Sequence, residues 1–167
     1  MREWDVKNKI ITGRIGALLS ALVAVIGFSV IDAGSARADG GTIHHIQHAI
    51  GGSCLDSNVA GDVYFNPCQS GNVYQEWRFI WVGNGLWHIQ DVNTGRCLHV
   101  DYQWGLGTSS ACNNNDMAVL WQLWTGNRQF ENGDNFACLD GNLSRPYQTQ
   151  GTCVASNIYQ TWNLINI

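Results

Sequence analysis

"NVYQEWRFIW" (residues 72–81) alternates like a β-strand from Trp77 onward, yet a glutamine, Gln75, stands two places before that tryptophan. A buried carboxamide is costly unless its donors and acceptor are paired, so a glutamine beside a core ring marks a specific turn. The arrangement recurs as Gln122 and Trp124 in "VLWQLW" (119–124) and as Gln160 and Trp162 in "IYQTW" (158–162). The three tryptophans are expected in one core, with the glutamines bonding backbone or polar neighbours at the entry to a strand. Tyr74, Trp121 and Tyr159 directly precede the glutamines, where a ring either packs between units or faces a ligand.

The cysteines follow the same rhythm. Cys54 and Cys68 are 14 residues apart, Cys97 and Cys112 are 15 apart, and Cys138 and Cys153 are 15 apart. An even number of cysteines in an exported chain reads as disulfides, and this spacing favours three short loops closed within the units. Each loop should stabilise the fold by about 3 kcal/mol. None has the CxxC spacing of zinc or redox chemistry. The flanking letters repeat as well: "HIQHAIGGSCLD" (45–56) lines up with "HIQDVNTGRCLH" (88–99) and, more loosely, with "QFENGDNFACLD" (129–140). A repeat of this period is one supersecondary unit copied three times. Each copy reads as short strands separated by Gly, Asn and Asp turns, with no sustained helical period. The expected architecture is all-β, with four strands in each of three units spanning about 42–82, 83–126 and 127–167, closed so that no edge is exposed.

Ahead of these units, "MREWDVKNKIITGR" (1–14) carries Lys7, Lys9 and Arg14 before an apolar run from Ile15 to Ile31, then small residues and "ARA" (36–38). This is the pattern of a secretory signal cleaved after Ala38, and the run is short for a membrane span of roughly 20 residues. Residues 39–167 are then one secreted domain without membrane insertion. That domain has four arginines (Arg78, Arg96, Arg128 and Arg145), no lysine and ten carboxylates, a net charge of −6. Nucleic acid and anionic membrane surfaces need concentrated basic residues, so neither is an expected partner.

Cys-Leu three times over, followed by Asp in two copies and His in one, a second cysteine some 15 residues on and then Gln-x-Trp, resembles the ricin B-chain lectin family of QxW β-trefoil carbohydrate-binding modules. The resemblance covers essentially all of residues 39–167. It implies a β-trefoil with pseudo-threefold symmetry, a six-stranded barrel capped by three hairpins, and one shallow sugar pocket per unit. In such a pocket the aspartate after Cys-Leu accepts from sugar hydroxyls, and an aromatic two places before the second cysteine stacks on the ring. An asparagine before the Gln-x-Trp glutamine completes the set. Asp56 and Asp140 match the aspartate, while His99 replaces it in unit two. The stacking positions are Asn66, Ser110 and Gly151, and the positions before the glutamine are Tyr74, Trp121 and Tyr159. The candidate sugar-binding residues are Asp56, Tyr64, Asn72, Tyr74 and Gln75 in unit one, and Asp140, Tyr159 and Gln160 in unit three. Unit one is the expected main pocket, and removal of Asp56 is expected to leave the core intact.

Other chemistries find less support. "HHIQH" (44–48) holds three histidines, but His44 and His45 lie on opposite strand faces, so no metal is expected. Glycoside hydrolysis needs two carboxyl groups roughly 5 to 9.5 Å apart across one bond. The exported part has only Glu76 and Glu131 as glutamates, with no GxSxG or HExxH, and no catalytic domain is expected after unit three. The reading is a non-enzymatic protein without cofactors whose partner is a glycan or polysaccharide. The alternative is a trefoil that binds a secreted protein, for example as a protease inhibitor. The retained aspartates favour the first and the altered aromatic positions the second.

Overall fold

The computed structural model describes residues 41–101, 105–124, 126 and 128–167. The signal segment expected at residues 1–38 lies outside the described residues. Among the described residues no helix is long and apolar enough to cross a membrane. Unit one contributes β1 (Ile43–His48), β2 (Ser53–Ser57), β3 (Val63–Pro67) and β4 (Trp77–Gly83). Unit two contributes β5 (Leu86–Asp91), β6 (Cys97–Val100), β7 (Leu106–Ser109) and β8 (Leu120–Trp124). Unit three contributes β9 (Gln129–Asn132), β10 (Leu139–Gly141), β11 (Pro146–Gln148) and β12 (Trp162–Asn166).

The first and last strands of each unit form a ring of antiparallel pairs: β1 with β4, β4 with β5, β5 with β8, β8 with β9, and β12 with β1. The remaining seam, between β9 and β12, is joined where the Trp162 amide donates to the Arg128 carbonyl at 2.9 Å. The middle strands make three hairpins, β2–β3, β6–β7 and β10–β11. The fold is a β-trefoil. Asn84 and Gly85 (φ 53° and 83°) connect β4 to β5 with the left-handed backbone that suits a tight hairpin between twisted strands.

The core repeats with the units. Ile46, Ile89 and Phe130 come from the first strands, Leu55, Leu98 and Leu139 from the second, and Trp77, Trp121 and Trp162 from the last, all buried. Each indole N–H donates to the leucine carbonyl of its own unit: Trp77 to Leu55 at 3.0 Å, Trp121 to Leu98 at 3.0 Å, and Trp162 to Leu139 at 3.1 Å. Disulfides join Cys54 to Cys68, Cys97 to Cys112 and Cys138 to Cys153, as the spacing implied.

One expectation is overturned. Trp124, read from its Gln-x-Trp letters as a core ring, is 43% exposed, and Trp121 occupies the core position. The physical reason is loop length. The core tryptophan follows the second cysteine by nine positions in every unit, from Cys68 to Trp77, Cys112 to Trp121 and Cys153 to Trp162. Gln122 and Trp124 fall three places late, and the glutamine position of unit two is held by the buried Val119. Register agrees: Trp121 lies opposite Trp87 on β5, just as Trp77 lies opposite His44 on β1.

A buried polar residue ends the first strand of each unit and reaches the preceding unit. His48 Nε2 bonds the Tyr159 carbonyl at 3.2 Å. Ser57 Oγ donates to Asp91 at 2.8 Å, and Asn132 Nδ2 donates to the carbonyls of Ala118 (3.0 Å) and Leu120 (3.1 Å). These three contacts close the ring of units in polar terms as β12 and β1 close it in backbone terms. His48 also receives the Gly51 amide on Nδ1 (3.4 Å) and stacks on Phe65 at 5.3 Å, which suits a neutral ring. Burial holds its pKa below the usual value, opposed by the Tyr159 bond and the Asp140 charge. Burial lowers His44 and His88 as well.

Two outcomes are expected. Trp121→Ala should cost about 3 to 5 kcal/mol in urea unfolding, the range for emptying a large aromatic site, whereas Trp124→Ala should stay within about 1 kcal/mol. A larger loss at Trp124 would restore the letter-based frame. Because the folded histidines bind fewer protons than the unfolded ones, stability is fully present above the unfolded histidine value of about 6.5 and falls as pH drops below it. Melting temperatures between pH 8 and 5 should show this decline, and His48→Asn, the residue of the equivalent position in unit three, should make it shallower while leaving the share of His44 and His88.

Candidate functional site

In unit one the hairpin sets Asp56 on β2 directly opposite Tyr64 on β3, and the turn before β4 brings Asn72 and Gln75 to the same place. Asp56 is 2% exposed. Its Oδ2 accepts from Asn66 Nδ2 (2.9 Å), Asn72 Nδ2 (3.1 Å) and Gln75 Nε2 (3.0 Å). Gln75 Nε2 also donates to the Pro67 carbonyl at 3.0 Å, and its Oε1 accepts from the Gln69 amide at 2.9 Å. The buried carboxamide therefore has partners for both ends, which accounts for a glutamine beside a core ring. Asn72 Oδ1 accepts from the Tyr74 amide at 3.2 Å. The Tyr64 hydroxyl donates to the Ser57 carbonyl at 2.9 Å, and burial, with the nearby Asp56 charge, raises its pKa.

Unit three repeats this frame with fewer internal bonds. Asp140 on β10 lies opposite Tyr147 on β11, and Asn157 Nδ2 donates to Asp140 Oδ2 at 3.2 Å. Gln160 Oε1 accepts from the Val154 amide at 2.7 Å, as Gln75 accepts from Gln69. Asn157 caps the short 3₁₀ turn Ile158–Gln160 through its bond from the Tyr159 amide at 3.0 Å. Asp140 is 2% exposed, and its Oδ1 has no hydrogen-bond partner. The Tyr147 hydroxyl has its pKa raised by burial and by the adjacent Asp140. Tyr147 stands between two open clefts of about 480 and 490 Å³, one walled by Asn135, Arg145 and Gln148, the other by Asn142, Ser144 and the 43% exposed Tyr159.

Unit two has lost the set as a set. His99 replaces the aspartate and faces Gly107, Asp116 replaces the asparagine, and Val119 replaces the glutamine. The three residues depend on one another, because each amide donor needs the carboxylate and the carboxylate needs donors once buried. Asp116 caps the short 3₁₀ turn Met117–Val119, accepting from the Ala118 amide at 3.1 Å.

The structure thus brings together Asp56, Asn72 and Gln75 with Tyr64 beside them, and places Tyr74 one residue before Gln75 with its side chain half-buried. It gathers Asp140 with Tyr147 and Asn157, and sets the exposed Tyr159 on the neighbouring cleft. Tyr147, Asn157 and Asn66 were missed as site residues. Asn66, at the position where the resemblance implies a stacking ring, is instead a donor to Asp56. The asparagine of both polar sets stands three places before the glutamine, not directly before it, and that shared offset was the readable signal for Asn157. His88 lies near the sulfurs of Cys97 and Cys112, but these are bonded to each other.

The uneven bonding of the two aspartates predicts uneven costs. Asp56→Ala would leave three side-chain donors without their acceptor and should destabilise by about 2 to 4 kcal/mol, contrary to the expectation of an intact core. Asp140→Ala strands one side-chain amide donor where Asp56→Ala strands three, and should cost about 1 kcal/mol or less. Thermal or urea unfolding of both variants checks the order, and equal costs would contradict it.

Sequence comparison matches residues 32–125 to the model of the cytolethal distending toxin A/C domain. None of the curated proteins compared matches the chain. Among solved structures, the designed threefold-symmetric protein ThreeFoil superimposes with a TM-score of 0.63 at 17% identity, over 75% of this chain and 99% of that one. The cytolethal distending toxin of Actinobacillus actinomycetemcomitans gives 0.61 at 18% identity, over 75% and 91%. The GlcNAcα1-4Gal-releasing endo-β-galactosidase of Clostridium perfringens gives 0.63 at 15% identity, over 75% of this chain and 32% of the enzyme. At these identities the structural likeness speaks to the fold.

Proposed function

This chain belongs to the cytolethal distending toxin A/C domain family, and on that footing we propose that it is an exported sugar-binding module of the ricin B-chain lectin kind. The observation that carries the proposal is Tyr147, an aromatic ring that lines both open clefts and lies directly across the hairpin from the buried Asp140 carboxylate. A sugar offers hydroxyl donors on its edge and C–H groups on its face, so a carboxylate and a ring side by side meet both. A sugar hydroxyl donates to Asp140, and the ring of Tyr147 supports the sugar's face. Asn157 holds the carboxylate from the other side. Tyr159 and Asn142 line the neighbouring cleft, where a second sugar unit fits.

Unit three is then the main pocket. In unit one the Asp56 Oδ2 already accepts three donors and the Tyr64 hydroxyl is committed to Ser57, so that set acts chiefly as support. The activity is binding without bond cleavage and uses no cofactor. One ring and one carboxylate should bind a monosaccharide on the order of millimolar, about −4 kcal/mol, so useful affinity comes from several contacts along a polysaccharide or cell-surface glycan. The galactosidase likeness supports a carbohydrate setting, and the three disulfides support an extracellular one. A second reading, a trefoil that docks on another secreted protein, is favoured by membership of a toxin-domain family and by the loss of the polar set in unit two.

Retention on immobilised galactosides, xylan and other glycans separates the readings. Wild type should be retained on at least one glycan, Tyr147→Ala should lose roughly tenfold in affinity, about 1.4 kcal/mol, and Tyr64→Ala should bind as wild type. No retention on any glycan would give the function to the protein-docking reading. Retention unaffected by Tyr147→Ala would keep the lectin and move the pocket.

A further inference from the structure

The threefold pattern breaks at the end of the barrel where β4 turns into β5 and β8 turns towards β9. Two places before the core residues Ile46, Ile89 and Phe130, the three units carry His44, Trp87 and Arg128. His44 packs edge-on against Phe79 at 5.5 Å, and Trp87 packs against Trp81 at 4.8 Å and against the core. A ring therefore covers the barrel at two of the three places. The third differs. Arg128 has φ 54°, its carbonyl is used in the seam to Trp162, and its exposed guanidinium donates through Nη1 to Asn163 Oδ1.

At that place lies a cavity of about 290 Å³, lined by Leu123, Arg128, Phe130, Trp162 and Leu164. Leu123 and Leu164 follow their core tryptophans by two residues, as Phe79 follows Trp77, yet Phe79 is 3% exposed and the two leucines are only half-buried. Trp162 brings no free donor, since its indole N–H is taken by Leu139. The walls are apolar, and the polar group among the lining residues is a guanidinium with five N–H donors. An enclosed apolar cavity of about 150 Å³ takes up benzene, so a pocket of this volume has room for an apolar body of about six to ten carbons. Among the described lining residues a polar neutral ligand would find no partner other than Arg128, and a cation would meet that guanidinium.

We propose that this cavity binds a small amphipathic anion, with an aromatic or aliphatic tail against Leu123, Phe130, Trp162 and Leu164 and a carboxylate or sulfonate on the Arg128 guanidinium. The tail removes the exposed leucine surface from water, and the head forms a charge-assisted bond with a guanidinium that has N–H groups to spare. The site shares no residue with the Asp140 and Tyr147 set, so it stands or falls independently of sugar binding.

The probe is 8-anilinonaphthalene-1-sulfonate, added to the full exported chain and followed by fluorescence, with octanoate as competitor. Saturable binding of one probe per chain, displaced by octanoate, is expected. Leu164→Phe and Leu123→Phe each place a ring in the cavity, and at least one of them should bind the probe at least tenfold more weakly while melting no lower than wild type. Arg128→Gln should weaken the sulfonate probe several-fold and leave the neutral probe N-phenyl-1-naphthylamine unchanged. Non-saturable binding, or folded ring-filled variants that bind as wild type, would overturn the cavity assignment. Equal loss of the neutral and anionic probes in Arg128→Gln would overturn the anion.

Discussion

The bond from each core tryptophan N–H to a leucine carbonyl ties the barrel of this protein to its cap. An indole buried this deeply needs a partner for its N–H, and the partner is the carbonyl between a disulfide-bonded cysteine and the residue that begins the polar set. Each bond therefore fixes a barrel strand against a hairpin that the disulfide already closes. The next side chain on the hairpin is Asp56, His99 or Asp140, so the same contact that builds the core also sets the height at which a site can form. Unit two shows that scaffold and site are separable. It keeps the disulfide and the Trp121 bond to Leu98 while replacing every member of the polar set.

Closure of the trefoil rests on a second repeated position, filled differently each time. His48, Asp91 and Asn132 have in common a short side chain able to bond the preceding unit from a buried place, and the chemistry of that bond varies. A strictly symmetric solution is unnecessary, because each seam needs its exposed backbone and side-chain groups paired and nothing more. The histidine version also accepts the Gly51 amide on Nδ1, a contact within its own unit that suits a neutral ring, whereas an Nε2–H donating to the Tyr159 carbonyl is kept on protonation.

Much of this architecture could be read directly from the letters. The cysteine intervals and the aligned segments from His45, His88 and Gln129 disclosed three units and three closed loops because those features are local in sequence and tightly spaced in space. Trp124 was misread because Gln122 and Trp124 satisfy a two-letter pattern, whereas the fold counts residues from the disulfide. The distance from the second cysteine to the core ring is invariant here, and the glutamine is dispensable once Val119 fills its place. Tyr147 was hidden for a related reason. It follows Asp140 by seven residues, while Tyr64 follows Asp56 by eight, so the cross-strand partnership appears only when each hairpin is paired in its own register.

Asp56 and Asp140 carry the same letter in the same frame, yet they differ in what the fold leaves unused. A buried carboxylate with three amide donors on one oxygen serves as a structural element, and replacing one of those bonds with a ligand's hydroxyl gains little. A buried carboxylate with one unpartnered oxygen is held at a cost, and a ligand that supplies a donor relieves that cost as it binds. Recognition in such a fold thus depends on residual hydrogen-bonding capacity after the core is satisfied, which no motif records. The same reasoning applies to Arg128, where the departure from threefold packing leaves apolar surface uncovered and a cation beside it. In a repeat protein the places where one copy stops matching the others are where the packing no longer dictates the residue, and a ligand can complete what the chain does not.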